Sequence, residues 1–281
     1  MASASSNLAL RLATAAVAVP IILAFVFIAP PWAFYLFVLP ISLVGVREFF
    51  GMTHRGDPVA QTIGVLLSAA ASVAVYFRHD DPRTLTTVLV VVPLVGPLVT
   101  LVRLGALDTA ALRACALGFG PLFMLPLTLL AVLRSELGAT GSGLVLLALG
   151  LAWLADTGAY FAGRFFGRRK LYEAVSPKKT VEGALGGLLG SIVWAVVASV
   201  WFLRGSLPLA HAIPLAIAAG VLGQAGDLGE SLLKRSTGVK DSGAIVPGHG
   251  GVLDRVDALI VTAALVFLYA VWGPAAIRPT W

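Results

Sequence analysis

The chain has 281 residues, of which 58% are hydrophobic and 12% charged, with a mean hydropathy of +0.93. That charged share is about half that of a soluble domain, which leaves too little polar surface to cover a water-facing globule. A disordered chain, a soluble enzyme and a secreted disulfide scaffold are therefore excluded, and the solvent that suits the sequence is a lipid bilayer. The single cysteine, Cys115, rules out an intrachain disulfide and a multi-cysteine metal site.

Apolar runs of about 20 residues, enough to cross a bilayer, occupy 11–29, 31–50, 59–77, 84–102, 112–133, 141–161, 183–203, 207–226 and 256–273. Runs of this length exclude the alternating strands of an outer-membrane barrel. The expected fold is all-α, a polytopic membrane bundle of about nine transmembrane helices. Pro20, Pro40, Pro93, Pro97, Pro121, Pro126 and Pro214 lie inside these runs. Membrane helices tolerate them because neighbours satisfy the freed backbone groups. The run from Leu12 to Ala29 is longer than a signal-peptide core and only Arg11 precedes it as a cation, so a retained helix is expected. With the N-terminus in the cytoplasm, every Lys and Arg except Arg78, Arg83, Arg134, Arg204 and Arg278 falls on the cytoplasmic side. This is the bias of the positive-inside rule.

Eight of the 14 carboxylates fall between 156 and 257, so function is sought there. One membrane domain over 1–281 is expected. Within it, 1–140 is mainly helical scaffold, and 141–273 is a catalytic half with two cytoplasmic segments, 162–182 and 227–255. In the first segment, Ser176-Pro177 reads as a helix start, Ser at the N-cap and Pro at the first helical position. Lys178 and Lys179 would then lie in the first turn, where the helix dipole disfavours cations unless an anion sits on top. A phosphate site and a plain positive anchor for the seventh span remain equal readings of these residues. Gly183, Gly186, Gly187 and Gly190 recur at helical spacing and read as a close helix–helix contact.

In the second segment Asp227, Glu230, Ser231 and Lys234 share one helix face. Glu230 and Lys234 are read first as an i,i+4 ion pair. Asp254 and Asp257, one turn apart at the mouth of the last span, are costly in a membrane helix unless paired or metal-bound. With Asp227 they form a set of hard oxygen ligands suited to Mg²⁺ and a substrate phosphate. His249 stands in Pro247-Gly248-His249-Gly250-Gly251, where little packing can explain it, and is read as a substrate or phosphate contact.

Ser231-Leu232-Leu233-Lys234-Arg235, Lys240-Asp241-Ser242-Gly243, His249-Gly250-Gly251 and Asp254-Arg255-Val256-Asp257 together resemble the signature of the phosphatidate cytidylyltransferases, the CDP-diacylglycerol synthases. Ser176-Pro177-Lys178-Lys179-Thr180 with Glu182-Gly183, and Asp156-Thr157 with Tyr160, look like further motifs of that family; Val181 stands where the family often has Trp. The resemblance is sharp over 153–257, and nothing is carried over from the first half.

It implies transfer of CMP from CTP to phosphatidic acid, giving CDP-diacylglycerol and pyrophosphate. It also implies Mg²⁺, in some members with a monovalent cation such as K⁺, and a homodimer in the lipid bilayer. No nucleic-acid partner is expected. The location would be the bacterial inner membrane, with the active site on the cytoplasmic side. Asp227, Asp254 and Asp257 would hold the metal and, with Lys234, be catalytic. Ser176, Lys178, Lys179, Thr180, Asp156, Arg235, Lys240, His249 and Arg255 would bind substrate.

Rival readings are an ion-coupled transporter and another CTP-using lipid enzyme such as a polyprenol kinase. The first predicts carboxylates near mid-span and a two-halves repeat, but the carboxylates cluster at span ends in the second half. The Asp-Gly-x-x-Ala-Arg motif of CDP-alcohol phosphotransferases and the soluble P-loop motif are both absent.

Overall fold

The computed structural model describes residues 4–103, 105–243, 245 and 250–273, with side chains from residue 14 onward except 15. The side chain of Arg11 and the whole of His249 and Arg278 lie outside the described residues. The chain is an all-α polytopic bundle. Its helices are α1 (Ala4–Phe27), α2 (Pro31–Thr53), α3 (Pro58–Arg78), α4 (Pro82–Val102), α5 (Leu107–Phe123), α6 (Leu125–Glu136), α7 (Gly138–Phe166), α8 (Val181–Val200), α9 (Leu209–Ser236) and α10 (Leu253–Trp272). Among the described residues, with α5 and α6 taken as one run, eight spans are long and apolar enough to cross a membrane, and Ala16–Phe27 is a shorter apolar stretch. Each falls on one of the nine runs read from the sequence.

Proline places several boundaries. Pro31, Pro58 and Pro82 each open a helix at its first position, where a missing N–H is harmless. The run 112–133 is divided at Met124, two residues before Pro126, whose ring and absent N–H oppose continuation of the preceding helix.

By their internal contacts the described residues divide into two compact units, one within 4–132 and 241–255, the other within 133–240 and 256–273. In the first unit, α4 and α5 pack at glycines. A Cβ on Gly96 would lie 2.2 Å from the Ala114 carbonyl oxygen, and one on Gly118 would lie 2.7 Å from that of Pro93. Three polar groups buried in this unit bond to one another. Ser72 Oγ lies 2.8 Å from Thr128 Oγ1 and 3.3 Å from the Tyr35 hydroxyl, and the Tyr35 and Tyr76 rings stack at 3.8 Å.

In the second unit α7 and α8 pack through the glycine series. A Cβ on Gly186 would lie 2.3 Å from that of Ala162, and one on Gly190 2.2 Å from the Leu154 carbonyl oxygen. The expected small-residue contact is therefore present. A short antiparallel hairpin, β1 (Lys170–Tyr172) and β2 (Ser176–Thr180), joins these two helices.

Ser176-Pro177 does not start a helix, which corrects the reading above: both residues lie in β2. The N-cap of α8 is Thr180, whose hydroxyl accepts from the Gly183 N–H at 3.1 Å. The cap signal at Thr180 prevails because residues 176–180 pair with β1, and a strand cannot also supply a first helical turn.

At the α2–α3 turn, Asp57 caps α3 by accepting from the Ala60 N–H at 3.1 Å. It also accepts from Arg103 and Arg113, each at 2.9 Å. Burial by itself would raise this carboxyl. The Arg103 and Ala60 hydrogen bonds and the two guanidinium charges outweigh it and hold the group below the ordinary carboxylate range. A carboxylate with a depressed folded pKa stabilises above its unfolded value of about 3.9 and loses that contribution as pH falls through the folded value. Wild-type stability in detergent, followed by thermal unfolding from pH 7 to pH 3, is expected to converge on that of Asp57→Asn at the acid end. A gap that stayed constant with pH would refute the linkage.

Candidate functional site

In the second unit three carboxylates converge. Asp227 and Glu230 are one turn apart on α9, and Asp257 comes from α10. Their ligand oxygens all lie within 4.8 Å of one another. Gly226 makes room for this approach: a Cβ there would lie 2.6 Å from Val261 Cγ2 on α10. Asp156, exposed on α7, adds its negative charge to those of Asp227 and Glu230 in the field at Asp257.

Two cations answer this charge. Lys179 pairs with Asp227, and Lys234 with Glu230 at 2.8 Å. Three carboxyl groups face two ammonium groups, so oxygen donors of the kind a hard cation takes outnumber the cations beside them. The expected Glu230–Lys234 ion pair is present, yet its carboxylate also joins the acid group and is only 5% exposed. Sequence reasoning passed over Glu230 as a ligand because the ion pair accounted for it. The signal was its place on the same face as Asp227.

The hairpin explains how Lys179 arrives. Successive side chains on a strand point to opposite faces. Lys178 is accordingly exposed, while Lys179 is partly covered and turned to Asp227. The two lysines diverge instead of crowning one helix end together. The hairpin is held by Glu182, whose carboxylate accepts from the Arg168 N–H at 3.0 Å and the Arg169 N–H at 3.2 Å. Lys170 Nζ closes it by donating to the Pro177 carbonyl. Ser176 and Thr180 bracket the two lysines on β2, and Thr180 is spent on the helix cap. Arg235 donates to the Val175 carbonyl at 3.4 Å, and Lys240 is exposed.

Asp254 is not among these three carboxylates; it belongs to the first unit. Its Oδ2 accepts from the Gly251 N–H at 2.8 Å and from the Ser242 N–H and hydroxyl, each at 3.0 Å. The oxygen thus ties the start of α10 to the segment before it. Gly250, at φ +84°, takes a backbone conformation that other residues rarely adopt. Arg255 is exposed beside Asp254. Sequence reasoning also missed Glu48 on α2, which accepts from the Val252 and Leu253 N–H groups at 3.0 and 2.8 Å. No local motif marks it, since its partners lie some two hundred residues away in sequence.

Asp227, Glu230 and Asp257 could hold a divalent metal. Glu230→Gln is expected to weaken Mn²⁺ binding, read by electron paramagnetic resonance, by at least the roughly tenfold that even an outer-shell partner is worth. An unchanged affinity would show the group to be an ion-pair network only.

The model of the cytidylyltransferase family matches residues 9–272. Curated relatives include phosphatidate cytidylyltransferases of Synechocystis sp., 44% identical over 132 residues, Haemophilus influenzae, 48% over 131, and Bacillus subtilis, 48% over 124. These stretches cover 47%, 45% and 43% of this chain, and 44%, 44% and 45% of the respective relatives. The chain thus matches somewhat less than half the length of these relatives. A family match that runs over nearly all of the chain, together with the helices and carboxylates it takes in, shows that the chain belongs to the cytidylyltransferase family.

Proposed function

We propose that the protein is a phosphatidate cytidylyltransferase, transferring CMP from CTP to phosphatidic acid with release of pyrophosphate. The observation that carries the reading is the meeting of Lys179, from the Ser-Pro-Lys-Lys-Thr hairpin, with Asp227, beside Glu230 and Asp257. Two motifs separate in sequence converge on a group suited to polyphosphate chemistry. Relatives that bear the name of this activity support it.

In the reaction a phosphate oxygen of the lipid attacks the α-phosphorus of CTP. A new P–O bond forms, the bond from the α-phosphorus to the bridging oxygen breaks, and pyrophosphate leaves. A phosphate monoester has a second pKa of about 6, so the nucleophile is largely ionised at neutral pH and needs no strong general base. The task left to the protein is to position two anions and neutralise developing charge.

Mg²⁺ belongs to this reading. The three close carboxylates are the hard-oxygen donor set that fits it, and when bound it would neutralise nucleotide phosphate charge. Lys179 and Lys234 would supply positive charge beside it. Lys178, Arg235, Lys240 and Arg255 are assigned to nucleotide or lipid phosphates, and Asp254 to holding the segment that carries Arg255. A cytoplasmic N-terminus and a homodimer complete the reading.

The direct test uses purified protein in detergent with phosphatidic acid and labelled CTP, with and without Mg²⁺. A labelled CDP-lipid is expected only with the metal, and absence of that product under both conditions would defeat the reading. Lys179→Ala is expected to raise KM for CTP more than KM for the lipid. Equal effects would remove Lys179 from the nucleotide.

A further inference from the structure

Glu48 sits near the end of α2 and is only 7% exposed. A carboxylate in so apolar a helix requires donors. Its Oε1 accepts from the Val252 N–H at 3.0 Å, and its Oε2 accepts from the Leu253 N–H at 2.8 Å and the Ser242 hydroxyl at 3.1 Å. The two N–H groups stand at the start of α10, where a helix has no partner of its own for them and its dipole is positive. Glu48 thus caps α10 from another helix, with bonds strengthened by its charge.

The glycines of the segment have a corresponding role. A Cβ on Gly243 would lie 2.2 Å from Glu48 Oε1. One on Gly251 would lie 2.5 Å from Glu48 Oε2 and 2.1 Å from Ser242 Oγ. Both positions are kept open for the same carboxylate. The Ser242 hydroxyl lies within reach of Glu48 and of Asp254 but has one proton to give. Moving either carboxylate therefore disturbs the other.

We infer that Glu48 is a positioning residue: it holds the segment 250–255, in which Asp254 fixes the start of α10 and Arg255 is the residue assigned to phosphate. The inference rests on the cytidylyl-transfer reading and extends it to the N-terminal helices. Both oxygens of Glu48 act as acceptors, so Gln at this position would turn an NH₂ group against an N–H in either amide orientation. Asp would keep two acceptors, withdrawn by one methylene.

The experiment compares Glu48→Gln, Glu48→Asp and Gly251→Ala with wild type in the full chain. Turnover per folded molecule, KM for CTP and phosphatidic acid, melting temperature and amide hydrogen exchange are measured. Glu48→Gln is expected to lower kcat/KM per folded molecule by roughly 100-fold, the scale of an ångström-sized misplacement. Exchange at Gly251, Val252 and Leu253 should accelerate while that of α7 and α8 stays as in wild type. Glu48→Asp should recover part of both effects, and Gly251→Ala should reproduce the Glu48→Gln pattern even if Glu48→Gln fails to fold. A lower melting temperature with unchanged turnover per folded molecule would make Glu48 a stabilising residue and overturn the inference. Unchanged exchange at 251–253 would overturn it as well. If wild type made no CDP-lipid, the catalytic reading would fall, and the exchange data would still decide whether Glu48 holds the segment.

Discussion

A carboxylate in an apolar helix persists only where a cation or a set of N–H donors meets it, and that requirement orders this protein. With so few charges in the chain, the carboxylates Asp57, Glu48 and Asp227 mark places where distant segments come together. Asp57 is met by two arginines from α4 and α5. Glu48 is met by the first N–H groups of α10. Asp227 and Glu230 are met by Lys179 and Lys234. The first two tie together elements of one unit. The last two balance an acid group that would otherwise repel itself apart.

The second requirement is close backbone approach. Without a hydrophobic drive between helices in lipid, contact depends on van der Waals fit, and small residues permit it. The glycines of α8 let α7 lie against its backbone, and Gly226 lets α10 close on α9 beside Asp257. Glycine serves differently at Gly243 and Gly251, where the missing side chain leaves space for a carboxylate. The sequence shows only that glycines recur; what fills each vacancy differs from one position to the next.

These features suit a reaction between two anions. A phosphate already ionised at neutral pH needs no activated serine or cysteine. Such chemistry calls for fixed positive charge, a hard cation and accurate placement. The hairpin turns one lysine of an adjacent pair toward the acids and the other to solvent. Pairing of β1 with β2 decides that division, since alternation along a strand separates neighbours that a helix turn would keep close.

The placement of the apolar spans was legible in the amino-acid order, because burial in lipid imposes a run of apolar residues that needs no knowledge of neighbours; the break at Met124 and the extension of α9 to Ser236 were not. The region of interest was legible too, since scarce charge concentrates between 156 and 257. Local order also indicated that Asp227, Glu230 and Lys234 share a face, because helical spacing is a property of the segment alone. It misplaced the start of α8, where Ser-Pro and Thr compete as caps and only pairing with β1 decides between them. It left Glu230 as an ion pair and gave no sign of Glu48. Convergence of α9 and α10 brings Glu230 to Asp257, and the fold of the first unit brings Glu48 to Val252 and Leu253. Which carboxylates meet one another and which meet backbone N–H groups depends on contacts between distant segments, so tertiary structure alone decided it.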